Sequence, residues 1–300
     1  MVGERVAYVN ARLLDPASGL DAPGALLVED GRIADVGPKL FKDGAPSGQV
    51  VDCKGLCLAP GLVDMRVQLR EPGEEHKETI HTASDAAAAG GITTMVSLPN
   101  TQPVIDDVSV VEFIARRAQE AGRINVRCYG SITRGMRGEE LTEMGLLAEA
   151  GAVGFTDATK AVASSLMMRR ALSYAKGFGL MIIQHPEDPG LASGGAMNEG
   201  EIATRLGLSA IPADAEVIMI ERDLRLVALT GGRYHAAHVS TGAAIDAIRR
   251  GKQLGLDVTC DTAPHYFALN ETAVGDYRTF AKVSPPLRGE DDRRAVVDGL

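Results

Sequence analysis

The sequence predicts an α/β fold in which strands of a parallel sheet alternate with helices. Short apolar runs typical of buried strands recur from residue 59 onward. Between them lie amphipathic stretches of helical period, several of which end at glycines such as Gly90, Gly151 and Gly255. Strand–helix alternation of this length is typical of a doubly wound sheet or of a closed (β/α)8 barrel.

Residues 1–58 have a different pattern, which predicts a small antiparallel β domain ahead of the larger domain 59–300. An apolar strand runs over residues 5–14. Two further apolar runs are joined through Asp30-Gly31, a dipeptide typical of tight β-hairpins.

In residues 59–300 the predicted elements alternate regularly. The strands are expected at 62–69, 92–98, 125–132, 152–156, 180–184, 233–239 and 256–261, and the helices at 76–89, 109–121, 140–150, 164–177, 213–230 and 242–254. Residues 291–300 indicate the start of another helix. This makes seven strands, so a barrel reading implies that strand eight and the C-terminal part are absent from this sequence.

Composition narrows the class of protein. The 300 residues are 45% hydrophobic and 24% charged, as in ordinary globular proteins. A net charge of −9 argues against nucleic acid or an anionic membrane as partner. The sequence shows neither a signal peptide nor an apolar run of about 18 residues, and we expect a cytoplasmic protein. The four cysteines have no metal-site spacing and are expected to be buried free thiols.

Polar side chains collect where the predicted strands end, which is the functional edge of both candidate folds. His185, His238 and His265 follow strands five, six and seven. Histidines from successive strands are typical of hydrolytic metal sites, although a single strand-end histidine more often bonds a loop, and both readings stay open. His235, three residues before His238, is expected to point to the opposite face and to be structural.

The predicted first strand, an apolar run expected to be buried, sets the main question. Arg66 and Gln68 lie two residues apart near its end and therefore share one face. This spacing would allow two side chains to coordinate one ion, yet neither arginine nor glutamine is a usual metal ligand.

Several motifs in the same order along the chain resemble the dihydroorotases of the amidohydrolase superfamily. The motifs are Asp64–Gly73, Gly90–Thr94, Leu98–Thr101, Gly154–Asp157, His185–Asp188, Asn198–Gly200, His238–Thr241 and Lys282–Arg288. The resemblance implies a (β/α)8 barrel of the amidohydrolase type with a small β-sandwich domain completed by C-terminal residues. It also implies hydrolysis or closure of the cyclic amide of dihydroorotate in pyrimidine biosynthesis.

The resemblance further implies where a metal site would lie. The family uses a His-x-His pair after strand one, an acidic or carboxylated ligand after strand four, one histidine each from strands five and six, and a catalytic Asp after strand eight. Here the first pair is Arg66 and Gln68 and the bridging position is Ala158, whereas His185 and His238 match. The catalytic Asp would lie beyond Leu300.

The positions that hold the substrate carboxylate in the family are better matched. Arg70 and Asn100 match, and His265 corresponds to a third position. Arg70 could alternatively pair with Glu71, Asp64 or Glu187, and the sequence leaves both readings open.

The resemblance favours a dihydroorotase homologue that has lost its metal and its catalysis and acts as a structural partner of aspartate transcarbamoylase, with a homo-oligomer also possible. One alternative is an active cyclic amidohydrolase that holds zinc through His185 and His238, with Lys160 as a conceivable carboxylated ligand on the same face as Ala158. Another is a binder of a small carboxylate metabolite through Arg70 and Asn100.

Overall fold

The computed structural model describes residues 5–42, 44 and 47–300. The chain divides into two compact units, Met1–Leu62 and Val63–Leu300, whereas the sequence placed the boundary after residue 58. Residues 1–4, 43, 45 and 46 of the predicted first domain lie outside the described part. Within the described part, no helix is long and apolar enough to cross a membrane.

The first unit contains one mixed sheet. Its strands are β1 (Arg5–Asp15), β2 (Leu20–Glu29), β3 (Arg32–Gly37), β4 (Gln49–Asp52) and β5 (Cys57–Leu58). The order is β3-β2-β1-β4, and β5 also pairs with β1. β1–β2 and β2–β3 are antiparallel, but β4 and β5 run parallel to β1, so the prediction of a purely antiparallel domain is wrong.

The predicted hairpin between β2 and β3 is confirmed. Asp30 and Gly31 form the turn with φ of 50° and 73°. Two successive positive φ values are what a two-residue hairpin turn of matching twist requires, which explains the Asp-Gly pair.

In the second unit, strands and helices alternate as predicted. The elements are β6 (Leu62–Val67), α1 (Ile80–Ala89), β7 (Ile92–Ser97), α2 (Val108–Ala121), β8 (Asn125–Cys128), α3 (Met144–Glu149), α4 (Ser165–Gly177), β9 (Met181–Gln184), α5 (Pro189–Ala192), β10 (Met197–Asn198), α6 (Glu201–Leu206), β11 (Ala210–Ile211), α7 (Asp214–Thr230), β12 (Arg233–Ala236), α8 (Gly242–Gln253), β13 (Val258–Cys260), α9 (Pro264–Ala268) and α10 (Glu290–Gly299). Short 3-10 turns occur at Arg134–Met136, Glu271–Val274 and Thr279–Ala281.

The strands of this unit follow one another in chain order. One group is β6-β7-β8 and the other is β9-β12-β13. Phe155 joins the two groups, because it forms parallel bridges to Gly130 on one side and to Ile182 on the other. The predicted fourth strand is thus reduced to this bridge. A side chain at Gly130 would place its Cβ 2.7 Å from the Phe155 ring, so glycine allows the close approach.

Alternate residues of the strands face two different apolar layers. Ile182 and Tyr234 belong to the large core shared with the helices. Ile183 and Ala237 belong to a smaller inner cluster with Val96, Leu98, Tyr129 and Ala158. Residues that share a register with Ile183 therefore line the inner face of the sheet.

The expectation that β6 is buried is wrong. Leu62 and Val63 are 62% and 59% exposed. Among the described residues, β6 has β7 as its only neighbour in the sheet, so its other edge contacts no further strand. The apolar pattern identified the strand but could not show which of its surfaces are covered.

Candidate functional site

The side chains singled out by the sequence gather beyond the carboxyl ends of the parallel strands. His185 directly follows β9, His238 lies two residues after β12, and Asp261 directly follows β13. The rings of His185 and His238 are perpendicular, with centroids 6.1 Å apart. Arg66, near the end of β6, belongs to the same region. Its charge lowers the pKa of His238, and the charge of Asp261 raises the pKa of Arg66.

The guanidinium of Arg66 contacts Ala158, another of the three replaced ligand positions. Its Nη2 donates a hydrogen bond to the backbone carbonyl oxygen of Ala158 at 3.3 Å. Nε and Nη1 are buried and have no hydrogen-bond partner among the described residues. Burial lowers the pKa of Arg66, and the charge of Asp261 opposes that shift, but a guanidinium stays protonated at any usable pH.

His185 is almost fully buried and is held on one side only. Its Nε2 lies 3.2 Å from the Ser284 hydroxyl and 3.7 Å from a carboxylate oxygen of Glu187. Ser284 in turn donates to Glu187 at 2.8 Å. The Nδ1 of His185 has no hydrogen-bond partner among the described residues.

His238 has an unusual backbone conformation and a neutral ring. Its φ of 56° is left-handed, and its backbone N–H donates to Oδ1 of Asp261 at 2.7 Å. Burial lowers the pKa of His238 to about 4, and the charge of Arg66 adds to the shift. The imidazole is therefore uncharged at neutral pH.

The prediction that His235 points away from the site is wrong. His235 shares its register with Ile183 and Thr259, so it lies on the inner face. Its Nε2 is 2.9 Å from Oδ2 of Asp261, and its Nδ1 is 2.7 Å from the Thr259 hydroxyl. Burial alone would raise the pKa of Asp261, but hydrogen bonds from His235 and from the His238 backbone lower it.

The predicted carboxylate-binding positions are only partly free. Arg70 Nη1 forms an ion pair with Glu74 at 2.9 Å, and Glu74 also pairs with Lys77. None of the three partners considered from the sequence is used: Glu71, for example, pairs with Arg117 instead. Glu74 engages one nitrogen of the Arg70 guanidinium, so a substrate carboxylate at this position would share Arg70 with Glu74.

Asn100 and His265 lie on different sides of the region. Asn100 is half-buried in the loop after β7, and this loop runs beside the end of β6 because the Leu98 N–H donates to the Val67 carbonyl at 2.8 Å. The ring of His265, on α9, is tilted by 54° against that of Tyr266 with centroids 4.0 Å apart, and the Tyr266 centroid is 6.4 Å from that of His238. Burial lowers the pKa of His265.

Comparison with known proteins identifies the family. A family model described as dihydro-orotase-like matches residues 55–244. The chain is 48% identical over 299 residues to a dihydroorotase of Wolbachia sp. subsp. Brugia malayi (strain TRS), covering 99% of this chain and 67% of that protein. The chain belongs to the dihydroorotase-like family. It is also 48% identical over 295 residues to a dihydroorotase of Desulforapulum autotrophicum, covering 98% of this chain and 69% of that protein.

Solved structures show the fold of this dihydroorotase-like chain. An L-hydantoinase (dihydropyrimidinase) from Arthrobacter aurescens superimposes with a TM-score of 0.80 at 23% identity, over 97% of this chain and 65% of that one. A D-hydantoinase superimposes with a TM-score of 0.74 at 22% identity, over 98% and 65%. The mixed α/β fold is thus shared, and the chain spans about two thirds of the length of these proteins.

The residues of this dihydroorotase-like chain do not fit the metal that the family implies. The described residues contain no group of three or more His, Cys, Asp or Glu side chains that could hold an ion. Lys160 does not supply the missing ligand, because the chain turns after Ala158, which has a φ of 58°, and leaves Lys160 exposed. Two histidines beside a fixed guanidinium are a poor donor set for zinc, which usually needs three protein ligands.

One buried network that positions the site was assigned no role from the sequence. Glu216 on α7 is completely buried and accepts hydrogen bonds from the backbone and hydroxyl groups of Ser240 and Thr241. Arg288 donates to the Ser240 hydroxyl at 3.1 Å and to Asn198 at 3.1 Å. These groups fix the loop that follows His238. The only sequence signal is that Asn198, Ser240, Thr241 and Arg288 fall within the motifs that resemble the family.

Proposed function

We propose that this dihydroorotase-like chain is a catalytically inactive dihydroorotase homologue that acts in pyrimidine biosynthesis as a structural partner of aspartate transcarbamoylase. The observation that carries the loss of catalysis is the hydrogen bond from Arg66 to the Ala158 carbonyl oxygen. Three ligand positions differ from the family, and the side chain at one of them, Arg66, contacts the backbone of another, Ala158.

The chemistry of the site supports this proposal. Hydrolysis of a cyclic amide in this family needs a metal that activates water. Arg66 has no lone pair to offer, and its permanent charge repels a cation beside His238. Gln68 is neutral and Ala158 has no ligand atom, so His185 and His238 are the remaining family-type ligands in the described residues.

Metal analysis combined with an activity assay tests the loss of catalysis. We expect protein dialysed after growth with added zinc to retain less than about a tenth of an equivalent, with no turnover of dihydroorotate or carbamoyl aspartate. Stoichiometric metal together with turnover would instead establish the alternative, an active amidohydrolase built on His185 and His238.

Restoring the family ligands provides a matched comparison. The triple substitution Arg66→His, Gln68→His and Ala158→Asp removes the guanidinium and adds three donors near the two existing histidines. We expect retained zinc to rise to about one equivalent, because the ligand number then exceeds the usual minimum. The double substitution without Arg66→His keeps the positive charge and should retain much less. Equal retention in both variants would contradict the role assigned to Arg66.

The proposed partner rests on resemblance to noncatalytic dihydroorotase-like homologues. The test is co-purification of the natively expressed protein with aspartate transcarbamoylase, followed by sizing of the complex. A stoichiometric complex is the expected result. Separate elution of the two proteins at micromolar concentration would refute the structural role and leave the metal result standing.

A further inference from the structure

The centre of the site has the opposite electrostatic character to the one that the family implies. There, neutral and anionic ligands surround a cation. Here, the cation is the Arg66 side chain itself, and two of its three nitrogens have no hydrogen-bond partner in the described part of the chain. Buried polar groups are nearly always hydrogen-bonded, and leaving a charged donor unsatisfied is costly. The geometry therefore calls for an acceptor next to Arg66.

The neighbouring protein groups do not supply that acceptor. Asp261 is a carboxylate whose charge influences Arg66, but its Oδ2 is bonded to His235 and its Oδ1 accepts the backbone N–H of His238. Among the described residues, no ion pair joins Arg66 to any acidic side chain within 4.0 Å. The phenols of Tyr129 and Tyr266 face the same charge, and burial raises the pKa of both, so they remain neutral.

A further unpartnered nitrogen among the described residues belongs to His185, which follows β9. His185 is 1% exposed, and its Nδ1 has no partner among the described residues, although its Nε2 is held by Ser284. Its ring lies 6.1 Å from that of His238. Arg66, on β6, and His185, directly after β9, thus both have buried side-chain nitrogens with no hydrogen-bond partner among the described residues.

We propose that Arg66 is the centre of a binding site for a small monoanionic carboxylate, at the place where the family binds its metal. Charge-assisted bonds between guanidinium and carboxylate are among the strongest available in proteins. A single negative charge is favoured because the Asp261 carboxylate already shares the region. The site differs from the position expected from the sequence, where Arg70 is ion-paired with Glu74 through Nη1.

Calorimetric titration with dihydroorotate, at constant ionic strength and with metal content measured in parallel, tests this inference. The methyl ester of dihydroorotate is the neutral control, and inorganic phosphate is the tetrahedral anion for comparison. We expect dihydroorotate to bind, the ester not to bind, and phosphate to bind at least about tenfold more weakly. Absence of dihydroorotate binding, or tighter binding of phosphate, would overturn the proposal.

Arginine variants locate the site. Arg66→Met should weaken dihydroorotate binding at least about tenfold, and Arg66→Lys, which keeps the charge but not the planar donor group, should weaken it by a smaller factor. Arg134→Met makes the same charge change at an exposed residue and should leave binding within about twofold. If Arg70→Met abolishes binding while both Arg66 variants bind normally, the carboxylate is held at the family position and the inference is wrong.

Measurements of folding and of metal content separate the possible causes of a loss of dihydroorotate binding. Circular dichroism and thermal unfolding of the Arg66 variants show whether they retain the native fold, and Arg66→Lys keeps the test decisive if Arg66→Met unfolds. The inference rests on the proposed loss of the metal. Stoichiometric zinc in the wild-type protein would refute that loss, whereas metal-free protein that does not bind dihydroorotate would refute the carboxylate site alone.

Discussion

Substitution of Glu216 by glutamine should destabilise the loop that places His238. Oε1 accepts the Thr241 backbone at 3.0 Å and the Thr241 hydroxyl at 2.8 Å, while Oε2 accepts the Ser240 hydroxyl at 2.5 Å. An amide must turn its NH2 group toward donors on one of these sides. The substitution also removes the negative charge whose oxygen lies 4.0 Å from Arg288 Nη2.

The magnitude follows from these contacts. Leaving one buried donor unsatisfied costs about 1–3 kcal/mol, and removing one partner of a buried charged pair adds to this. We therefore expect Glu216→Gln to lower the free energy of unfolding by about 3 kcal/mol. Urea unfolding followed by circular dichroism measures the change. Glu221→Gln, on the same helix but at an exposed ion pair, is the matched control and should cost less than about 0.5 kcal/mol.

Two results would refute this reasoning. If Glu216→Gln and Glu221→Gln cost the same, the hydrogen bonds to the loop contribute no more than a surface ion pair. If Glu216→Gln is destabilising but Ser240→Ala and Thr241→Ala are neutral, the loss arises from Glu216 itself and not from its hold on the loop.

Two further predictions concern titratable groups. Burial raises the pKa of Asp223 from 3.8 to about 6. The folded state therefore binds this proton more tightly than the unfolded state does. The contribution of Asp223 to the free energy of unfolding thus falls as pH rises from about 4 to about 6, by up to about 3 kcal/mol. Asp223→Asn should flatten that interval in urea unfolding series, and an unchanged slope would contradict the assignment. Burial also raises the pKa of Cys128 to about 12, whereas Cys57 is exposed. Maleimide should label Cys57 rapidly in native protein and Cys128 only after unfolding, as mass spectrometry of the peptides would show.

The prediction that all four cysteines are buried illustrates one limit of the sequence. Cys128 is buried, but Cys57 and Cys260 are exposed, although all three stand in apolar runs. The same limit applies to Val63 on β6. Periodicity identifies a strand, but exposure depends on which elements cover it, and that is decided by packing between distant segments.

The local signals, in contrast, were reliable. Thr79 caps α1 through its side chain and Asp107 caps α2, so both helices begin where capping residues occur. The predicted start of this helix at residue 76 is too early, because residues 76–78 precede the Thr79 cap. The prediction of a helix near the end of the chain is confirmed by α10.

The site was predicted less well where the backbone leaves the strand. Counting alternate faces predicts that His235 points away from the site and would put Lys160 on the face of Ala158 only if the strand continued. The strand ends first in both places, because His238 and Ala158 have left-handed φ values of 56° and 58°. Alternation is a property of extended backbone and does not continue through such residues. Arg70, with a φ of 62°, turned toward Glu74 for the same reason.

The hydrogen bond from Arg66 to Ala158 has a consequence for how this protein responds to its surroundings. A bound metal is exchangeable, so the fraction of protein that carries it depends on supply, on chelators and on competing ions. The Arg66 guanidinium is a covalent part of the chain and is therefore present in every molecule. The positive charge of Arg66, which acts on His238, is therefore encoded in the sequence. A cell short of zinc would still make every copy with that charge in place.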